Sequence, residues 1–223
     1  MDKKTVIENL TARFQGTDLV GLNFLMELAL DLSWYWDHSA DEIWENLDRF
    51  LWEETHNPWI LMKTVSNEKL KLFLADQATQ DKLQLLALNK QALNGVNWFQ
   101  KNHANGQLSC VAYFSMEFML SEALPIYSGG LGNVAGDQLK EANDLGIPIV
   151  GVGLLYQQGY FHQVIDQEGG QLELYPHNDP EQLPILPLRK PNGEWVRLKV
   201  AFPGHSVWLR TWEVWVGLSL IHI

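Results

Sequence analysis

The sequence predicts an α/β protein in which a helical unit precedes a sheet that contains a parallel βαβ segment. Three observations carry this prediction. Apolar residues recur at helical spacing over residues 1–105, whereas residues 108–156 contain two short apolar runs on either side of a glycine-rich turn and an amphipathic stretch. Beyond Gly159, short β-rich runs alternate with turn signals. Because 46% of the 223 residues are apolar, the chain can bury a hydrophobic core.

The helical unit, residues 1–105, has its clearest helix start in the sequence "SADE". Ser39 and Glu42 have the spacing of a capping box, in which each side chain satisfies an exposed backbone amide of the other residue. Apolar residues follow at helical spacing, namely Ile43, Trp44, Leu47, Phe50 and Leu51. Leucine-rich stretches at 70–74 and 83–93 predict two more helices. Tryptophans at helical spacing are predicted to belong to the core: Trp34, Trp36, Trp44 and Trp52.

The second unit, residues 106–217, is predicted to begin with the βαβ segment. The runs "LSCVAYFSM" and "IPIVGVGLLY" are apolar on both faces, which is typical of buried parallel strands, and a helix is expected between them at about 132–145. Cys110 lies in the first run and is expected to be a buried thiol. In the β-rich extension, alternating apolar residues predict strands with one face in water: Val196, Leu198, Val200, Val207 and Leu209.

Charge and composition exclude several classes of function. The net charge of −11, with no run of basic residues, disfavours nucleic acid as a partner. The start "MDKKTVIENL" lacks the apolar core of a signal peptide, and no stretch reaches the roughly 18 apolar residues of a membrane span. One cysteine excludes an internal disulfide, and the scattered histidines show no metal-binding pattern. We therefore expect a cytoplasmic protein without a membrane, nucleic-acid or metal partner.

The segment "YSGGLGNVAGD", residues 127–137, places four glycines before the predicted helix. A Walker-type phosphate loop is excluded, because Gly-Asn-Val stands where Gly-Lys-Ser/Thr is needed. A dinucleotide fingerprint, Gly130-x-Gly132-x-x-Ala135, lies about ten residues beyond the first strand, and no acidic residue ends the second strand. Two interpretations stay open: the glycines let the helix pack closely on a strand, or its unpaired amides bind an anion or a sugar.

The residues around this segment resemble the α-glucan (glycogen) phosphorylase family. The motifs "YFSMEF", "LPIYSGGLG", "AGD-x-LK", "VGVGLLY" and "QGYF" occur in that order and at close spacing. The arrangement Glu122-x-Leu124-Pro125 and the segments "LSWYWDHSADEIWENL" and "WEETHNPWILM" are similar to the shorter bacterial and archaeal branch. The resemblance extends over residues of about 20–217.

This resemblance implies a fold and a reaction. The family has two Rossmann-like domains that face each other across a cleft, the GT-B fold, and this chain would supply a helical extension and part of the first domain. Inorganic phosphate cleaves the terminal bond of an α-1,4-glucan with retention and releases glucose 1-phosphate. The family cofactor is pyridoxal 5′-phosphate, whose phosphate group takes part in proton transfer.

The resemblance also implies site residues. Gly129, Gly130 and Leu131 match the family's glycine loop, whose amides face the substrate phosphate and the glucosyl unit. Glu117 matches the active-site glutamate; the alternative is a carboxylate that only accepts hydrogen bonds from the loop. Asp137, in the first turns of the following helix, is expected to position other groups rather than to catalyse.

Two other functions are alternatives to a phosphorylase. One is a glycogen or starch synthase, but these enzymes have a lysine where this chain has Tyr127. The other is a non-catalytic glucan-binding module, which would stack tryptophans on sugars.

The family's Schiff-base lysine belongs to its C-terminal half, so we expect this chain alone to be inactive. Residues 218–223, "LSLIHI", depart from the family pattern and are expected to be a tail foreign to the fold. The sequence does not predict an oligomeric state.

Overall fold

A computed structural model describes most of the chain, namely residues 21–93, 97–103, 106, 108–217 and 219–222. The predictions for residues 1–20, and for the boundary between the two units at 104–105, lie outside the described residues. Within the described ranges, no helix has both the length and the apolar content needed to cross a membrane.

The first unit is helical, as predicted. Its described helices are α1 (Leu22–Leu30), α2 (Asp41–Thr55), α3 (Pro58–Thr64), α4 (Asn67–Ala75), α5 (Gln77–Leu93) and α6 (Trp98–His103), with 3-10 turns at Leu32–Tyr35 and His38–Ala40. Their apolar faces form a core that includes Trp44, Trp52 and Trp59. The predicted burial of tryptophans is confirmed for Trp34, Trp44 and Trp52, while Trp36 is half-buried.

The predicted capping box at Ser39 is wrong. Helix α2 begins at Asp41, and no side chain caps its first turn. Ser39 lies inside the preceding 3-10 turn, where its backbone amide donates to Oδ1 of Asp37 at 3.0 Å. Asp37 therefore caps the earlier turn, and because that turn leads directly into α2, Ser39 does not stand at a helix start.

Helix α2 is interrupted at Asp48, which the sequence did not predict. Asp48 has extended backbone angles (φ −157°, ψ 93°), and its Oδ1 accepts a hydrogen bond from the amide of Leu51 at 3.1 Å. The side chain thus caps a second helical segment and shifts its phase relative to the first. Phe50, predicted to face the core, is 71% exposed for this reason.

The two leucine-rich helices, α4 and α5, are confirmed, although only some of their leucines face the core. The buried ones are Leu70, Leu74, Leu83 and Leu86. The exposed ones are Leu72, Leu85 and Leu88. Each exposed leucine lies two positions after a buried one, and residues two apart point to opposite sides of a helix.

The predicted βαβ segment is confirmed. Strand β1 (Val111–Phe114) is followed by helix α7 (Gly130–Leu145) and by strand β2 (Ile149–Val152), which pairs with β1 in parallel. Further strands are β3 (His162–Ile165), β4 (Gln171–Leu174), β5 (Leu186–Pro187), β6 (Arg197–Phe202), β7 (His205–Arg210), β8 (Trp212–Val216) and β9 (Ser219–His222). The main sheet has the order β1-β2-β9-β8-β5 and is mixed, since β8 is antiparallel to both of its neighbours.

A second core lies between the main sheet and helix α7. Apolar side chains from the segment after β1, from α7 and from β8 form it, including Phe118, Leu120, Ile126, Leu139 and Val214. Two residues of the sheet unit, Leu186 and Trp215, belong instead to the core of the helical unit. The two cores therefore meet along strands β5 and β8.

The prediction that the first strand is buried on both faces is wrong, and Cys110 is exposed rather than buried. Strand β1 forms the edge of the sheet, and its side chains alternate between half-buried and exposed. Tyr113 packs edge-on against Phe118 at 5.7 Å between ring centroids, whereas Phe114 is 73% exposed. One face of this strand has no layer against it in the described part of the chain.

The predicted strands after Gly159 are present as two hairpins, β3–β4 and β6–β7. Their turns are closed by Gly169 and Gly204, both with positive φ, a conformation that glycine adopts without strain. The expectation of one wet face is wrong for β6–β7, because Leu198 and Leu209 are exposed as well. This ribbon projects from the domain with no second layer behind it in the described residues.

Of the six residues expected to be a foreign tail, 218 and 223 lie outside the described residues, and the foreign origin of this segment stays a prediction. The backbone of Ser219–His222 forms strand β9 between β2 and β8, parallel to the first and antiparallel to the second. Its backbone groups thus have hydrogen-bonding partners on two sides.

Candidate functional site

The glycine loop, residues 127–132, lies beside the carboxyl ends of strands β1 and β2. Glu117 follows β1 by three residues, and Tyr156 follows β2 by four. The Tyr156 hydroxyl donates to the carbonyl oxygen of Met116 at 3.0 Å, so the two segments are joined directly. The carboxyl ends of neighbouring parallel strands are the usual place for ligands in α/β sheets.

The carboxylate of Glu117 holds the loop in place. Its Oε1 accepts a hydrogen bond from the Ser128 hydroxyl at 2.7 Å. Its Oε2 accepts from the backbone amides of Ser128 at 3.1 Å and Gly129 at 3.3 Å. Both oxygens are therefore engaged by the residues directly before helix α7.

These hydrogen bonds keep Glu117 ionised. The Ser128 hydroxyl, followed by the Ser128 amide, lowers the pKa of Glu117 below its ordinary value, and the amides of Gly129 and Gly132 add to this effect. Partial burial of the carboxylate opposes the shift without reversing it. At neutral pH the group is an acceptor of hydrogen bonds and not a donor of protons.

Gly129 and Gly130 are not required by packing or by backbone conformation. A Cβ atom built on either residue has no heavy atom within 4 Å. Neither residue has the positive φ that favours glycine over other residues. The space beside these two residues is open.

Gly132 and Gly136, by contrast, are required by packing. A Cβ on Gly132 would lie 2.8 Å from Cβ of Tyr127 and 3.2 Å from Oε2 of Glu117. A Cβ on Gly136 would overlap the carbonyl oxygen of Met119. The interpretation that glycines allow close packing of the helix is therefore confirmed for these two positions.

The first turn of α7 presents backbone amides beside the open space. The amides of Gly132 and Asn133 donate to the carbonyl oxygen of Gly129, at 3.0 and 3.3 Å. None of the hydrogen bonds found among the described residues uses the amides of Gly130 or Leu131. Unpaired amides at a helix N-terminus carry partial positive charge and attract anions.

A cavity of about 200 Å³ adjoins the loop. Its lining consists of the loop, Glu117 and the chain that follows β2: Glu117, Tyr127, Ser128, Tyr156, Gln158, Gly159 and Tyr160. Three tyrosine rings and an amide offer apolar surface and hydrogen-bonding groups, but no cationic side chain lines this cavity. Any positive potential here comes from the helix amides.

Three residues of this lining were not predicted as site residues, namely Tyr156, Gln158 and Tyr160. The signal was available, because "LLYQQGYF" follows the second predicted strand directly, at the edge of the sheet where ligands bind. Asp137, expected to position other groups, is exposed and lies 3.7 Å from Lys140 of the same helix.

The described residues contain no group of three or more histidine, cysteine or acidic side chains that could hold a metal ion. No lysine lines the loop cavity either, so the cavity offers no amine for a Schiff base. The side chains present here do not fit pyridoxal 5′-phosphate as a covalently held group.

Comparison with known proteins gives matches over most of the chain. Residues 20–124 match a family described as a protein of unknown function, DUF3417. Maltodextrin phosphorylase of Thermococcus litoralis is 38% identical over 208 residues, which are 91% of this chain and 24% of that protein. Glycogen phosphorylase of Mycobacterium tuberculosis is 38% identical over 201 residues, 86% of this chain and 23% of that protein. Glycogen phosphorylase of Aquifex aeolicus is 34% identical over 200 residues, 89% of this chain and 28% of that protein.

These matches confirm the resemblance that the motifs indicated. The chain belongs to the family of the maltodextrin and glycogen phosphorylases. It spans about a quarter of the length of the curated relatives it matches.

Proposed function

We propose that this chain forms the N-terminal part of an α-1,4-glucan phosphorylase, which uses inorganic phosphate to release glucose 1-phosphate from the end of a glucan with retention. The observation that carries this proposal is the open space beside Gly129 and Gly130. Two adjacent glycines that neither packing nor backbone conformation requires are explained by a ligand that approaches the backbone closely.

In this proposal the loop binds the phosphate and the terminal glucosyl unit. The amides of Gly130 and Leu131 donate to anionic or sugar oxygens, since no protein acceptor uses them among the described residues. A preorganised pair of amides stabilises negative charge without moving during the reaction. The tyrosines of the adjoining cavity, Tyr156 and Tyr160, bound the space for the sugar.

We assign Glu117 a positioning role, while the catalytic role expected from the resemblance stays a prediction. Its ionised carboxylate fixes the Ser128 hydroxyl and the amides of Ser128 and Gly129, and so orients the next amides toward the open space. A group with a lowered pKa is a poor proton donor at neutral pH.

The cofactor and the second domain belong to a longer protein in this proposal. Pyridoxal 5′-phosphate is the cofactor that the family implies, and its phosphate supplies proton transfer when bound. Because no lysine lines the loop cavity, we propose that residues outside this chain hold the cofactor. The sheet unit would be the first of two Rossmann-like domains of a GT-B fold, and a cytoplasmic location stays a prediction.

The two competing functions are less well supported. A synthase would need a lysine at the position of Tyr127, whose side chain packs against Gly132 and brings no positive charge to the loop. A module that only stacks sugars on tryptophans is less well supported, because Trp34, Trp44, Trp52 and Trp59 are buried. The exposed tryptophans, Trp98 and Trp208, lie on separate elements, α6 and β7.

The test is Gly130→Ala in an enzyme in which this chain is joined to the remaining part, about three quarters, of a family member. Turnover is expected to fall about a hundredfold, the size seen when an anion-stabilising donor is lost, with little change in glucan affinity. The melting temperature should not fall, because a Cβ at this position meets no neighbour.

Asn133→Ala is the matched control, since this residue is exposed one turn later and is expected to leave turnover unchanged. A Gly130→Ala enzyme with normal stability and normal turnover would contradict the proposed role of the loop. The chain alone is expected to release no glucose 1-phosphate.

A further inference from the structure

Tyr156 lines the loop cavity, but its hydroxyl group is engaged with the backbone of another segment. It donates to the carbonyl oxygen of Met116 at 3.0 Å, across 40 residues of sequence. None of the other hydrogen bonds found among the described residues uses this oxygen. The Met116 side chain is 62% exposed, so its own packing does not hold this part of the backbone. The hydroxyl of Tyr156 does.

The peptide group between Met116 and Glu117 lies just beyond the end of strand β1. The amide of Ser115 makes the last backbone hydrogen bond from this segment to β2, at 3.1 Å, and Phe118 makes the next backbone hydrogen bond along the segment. Between them, the amide of Glu117 donates to the Ser115 hydroxyl at 3.4 Å. Two side-chain hydroxyls, those of Ser115 and Tyr156, therefore hold the two sides of one peptide group.

The orientation of this peptide group decides where the Glu117 carboxylate points, because the planar group is bonded directly to Cα of Glu117. The carboxylate accepts from the Ser128 hydroxyl at 2.7 Å and from the amides of Ser128 and Gly129. Gly130 and Leu131 follow directly. One hydrogen bond, one peptide group and one carboxylate thus connect Tyr156 to the amides beside the open space.

Tyr156 is itself held firmly from the side away from Met116. The Asn178 side-chain amide donates to the carbonyl oxygen of Tyr156 at 2.9 Å, and the Asn178 backbone amide donates to the carbonyl oxygen of Gln157 at 2.7 Å. A Cβ on Gly159 would lie 3.1 Å from the carbonyl oxygen of Pro125, so the chain after β2 also packs closely against the segment before the loop. A supporting residue needs such fixed surroundings to hold another group in place.

We propose that Tyr156 is a positioning residue for phosphorolysis: its hydroxyl fixes the peptide group before Glu117 and thereby holds the amides of Gly130 and Leu131 in the geometry that binds phosphate. This inference rests on the proposed function and adds a role that the cavity wall alone does not imply. Donors that stabilise an anion are effective when they are held in place before the reaction. The hydroxyl acts through Met116 and Glu117, not on the substrate.

The first test titrates Glu117 in this chain, by NMR of its carboxyl carbon. Tyr156→Phe frees the Met116 carbonyl and weakens the hydrogen bonds from Ser128, so the lowered pKa of Glu117 should rise toward its ordinary value. Ser115→Ala releases the other side of the same peptide group and should act in the same direction. No second carboxylate and no cationic side chain lines the loop cavity, so the titration reports on these hydrogen bonds.

Tyr160→Phe is the matched control for the titration. This residue lines the same cavity, and its hydroxyl takes part in none of the hydrogen bonds found among the described residues. Its removal should leave the titration of Glu117 unchanged.

The second test measures kinetics in the assembled enzyme. Tyr156→Phe should lower kcat/KM for phosphate about fivefold, the effect of one hydrogen bond, and change the KM for glucan less than about twofold. Tyr175→Phe removes an exposed hydroxyl outside the cavity and should change neither value. A tyrosine that only supported the fold would lower the melting temperature and leave both kinetic values unchanged.

Two results would overturn the role of Tyr156. One is an identical titration of Glu117 in Tyr156→Phe and the unmodified chain. The other is a kinetic loss in the KM for glucan and not in kcat/KM for phosphate, which would mean that the hydroxyl contacts the sugar directly. The titration requires no phosphorolysis, whereas failure of the proposed function appears in Gly130→Ala, so the two failures are distinguishable.

Discussion

Asp31 and Glu117 are two carboxylates that each accept hydrogen bonds from backbone amides, but in very different surroundings. Asp31 accepts hydrogen bonds from the amides of Ser33 at 3.0 Å and Gly217 at 2.7 Å, and it pairs with Lys90 at 2.6 Å. It is 1% exposed. Glu117 also accepts from two backbone amides, but it borders an open cavity and has no cation beside it.

The difference shows how burial decides what a carboxylate can do. Burial by itself raises the pKa of Asp31, yet the charge and hydrogen bond of Lys90, with the amides of Gly217 and Ser33, lower it overall. This set of contacts neutralises the buried charge and joins the helical unit to the end of β8. At Glu117 the Ser128 hydroxyl and the backbone amides lower the pKa without a cation, which leaves the neighbouring amides of the helix for another anion.

The largest expected effect comes from Asp31→Asn. The change leaves Lys90 without its counterion and weakens the contact with Gly217, so we expect a loss of about 3 kcal/mol in the free energy of unfolding. Urea denaturation measures it. Arg49→Ala, at the exposed pair with Glu53, is the control and should leave the denaturation midpoint unchanged. Equal midpoints for both variants would show that the buried contacts add nothing.

The next largest effect distinguishes a packed glycine from an open one within residues 127–137. Gly136→Ala forces a methyl group onto the carbonyl oxygen of Met119, and we expect a loss of about 2–3 kcal/mol. Gly130→Ala meets no neighbour and is expected to stabilise this chain by about 0.5 kcal/mol, since it reduces the freedom of the unfolded chain. Thermal unfolding of both variants measures the contrast. Destabilisation by Gly130→Ala would mean that the open position is a packing position after all.

Deletion of residues 218–223 tests strand β9. A foreign tail without partners would change stability by less than about 1 kcal/mol. Because the backbone of Ser219–His222 pairs with both β2 and β8, we now expect a loss of about 2 kcal/mol, from several ladder hydrogen bonds of modest net strength. Chemical denaturation distinguishes the two values, and an unchanged midpoint would restore the original expectation.

The smallest effect is the response of the two carboxylates to acid. A pKa that is lower in the folded protein stabilises the fold above the unfolded value, and this stability is lost as the pH falls through the folded value. Stability should therefore decline below about pH 4, where carboxylates protonate. Asp31→Asn should remove most of this slope. Glu117→Gln should remove little of it and cost about 1 kcal/mol or less at neutral pH, since its hydrogen bonds are partly open to water.

Unfolding curves between pH 2 and pH 7 provide the measurement, with the unmodified chain as the reference. If Glu117→Gln removed more of the pH dependence of stability than Asp31→Asn, Glu117 rather than Asp31 would be the main acid-sensitive carboxylate of the two.

The sequence predicted the elements that depend on local patterns. Helical spacing located α2, α4 and α5, and turn residues separated the hairpins. It failed where a neighbour decided the outcome. Ser39 lost its capping role because Asp37 caps the preceding turn, and Cys110 is exposed because strand β1 lies at the edge of the sheet.

The site was predictable only in part for the same reason. Glu117 and the loop glycines were recognised from motifs, but the division into open and packed glycines depends on Tyr127 and Met119, which periodicity does not place. No motif or periodicity in the sequence pointed to Asp31. Its partner Gly217 lies 186 residues away in the sequence, and no local pattern connects them.

Leu186 and Trp215, residues of the sheet that lie in the core of the helical unit, have a consequence for how the molecule opens. Secondary structure changes character near residue 105, but the hydrophobic core does not end there. We therefore expect that exchange of the amide hydrogens of α1 and α2 with solvent is coupled to the opening of β5 and β8. The two units that the sequence distinguishes are expected to unfold together.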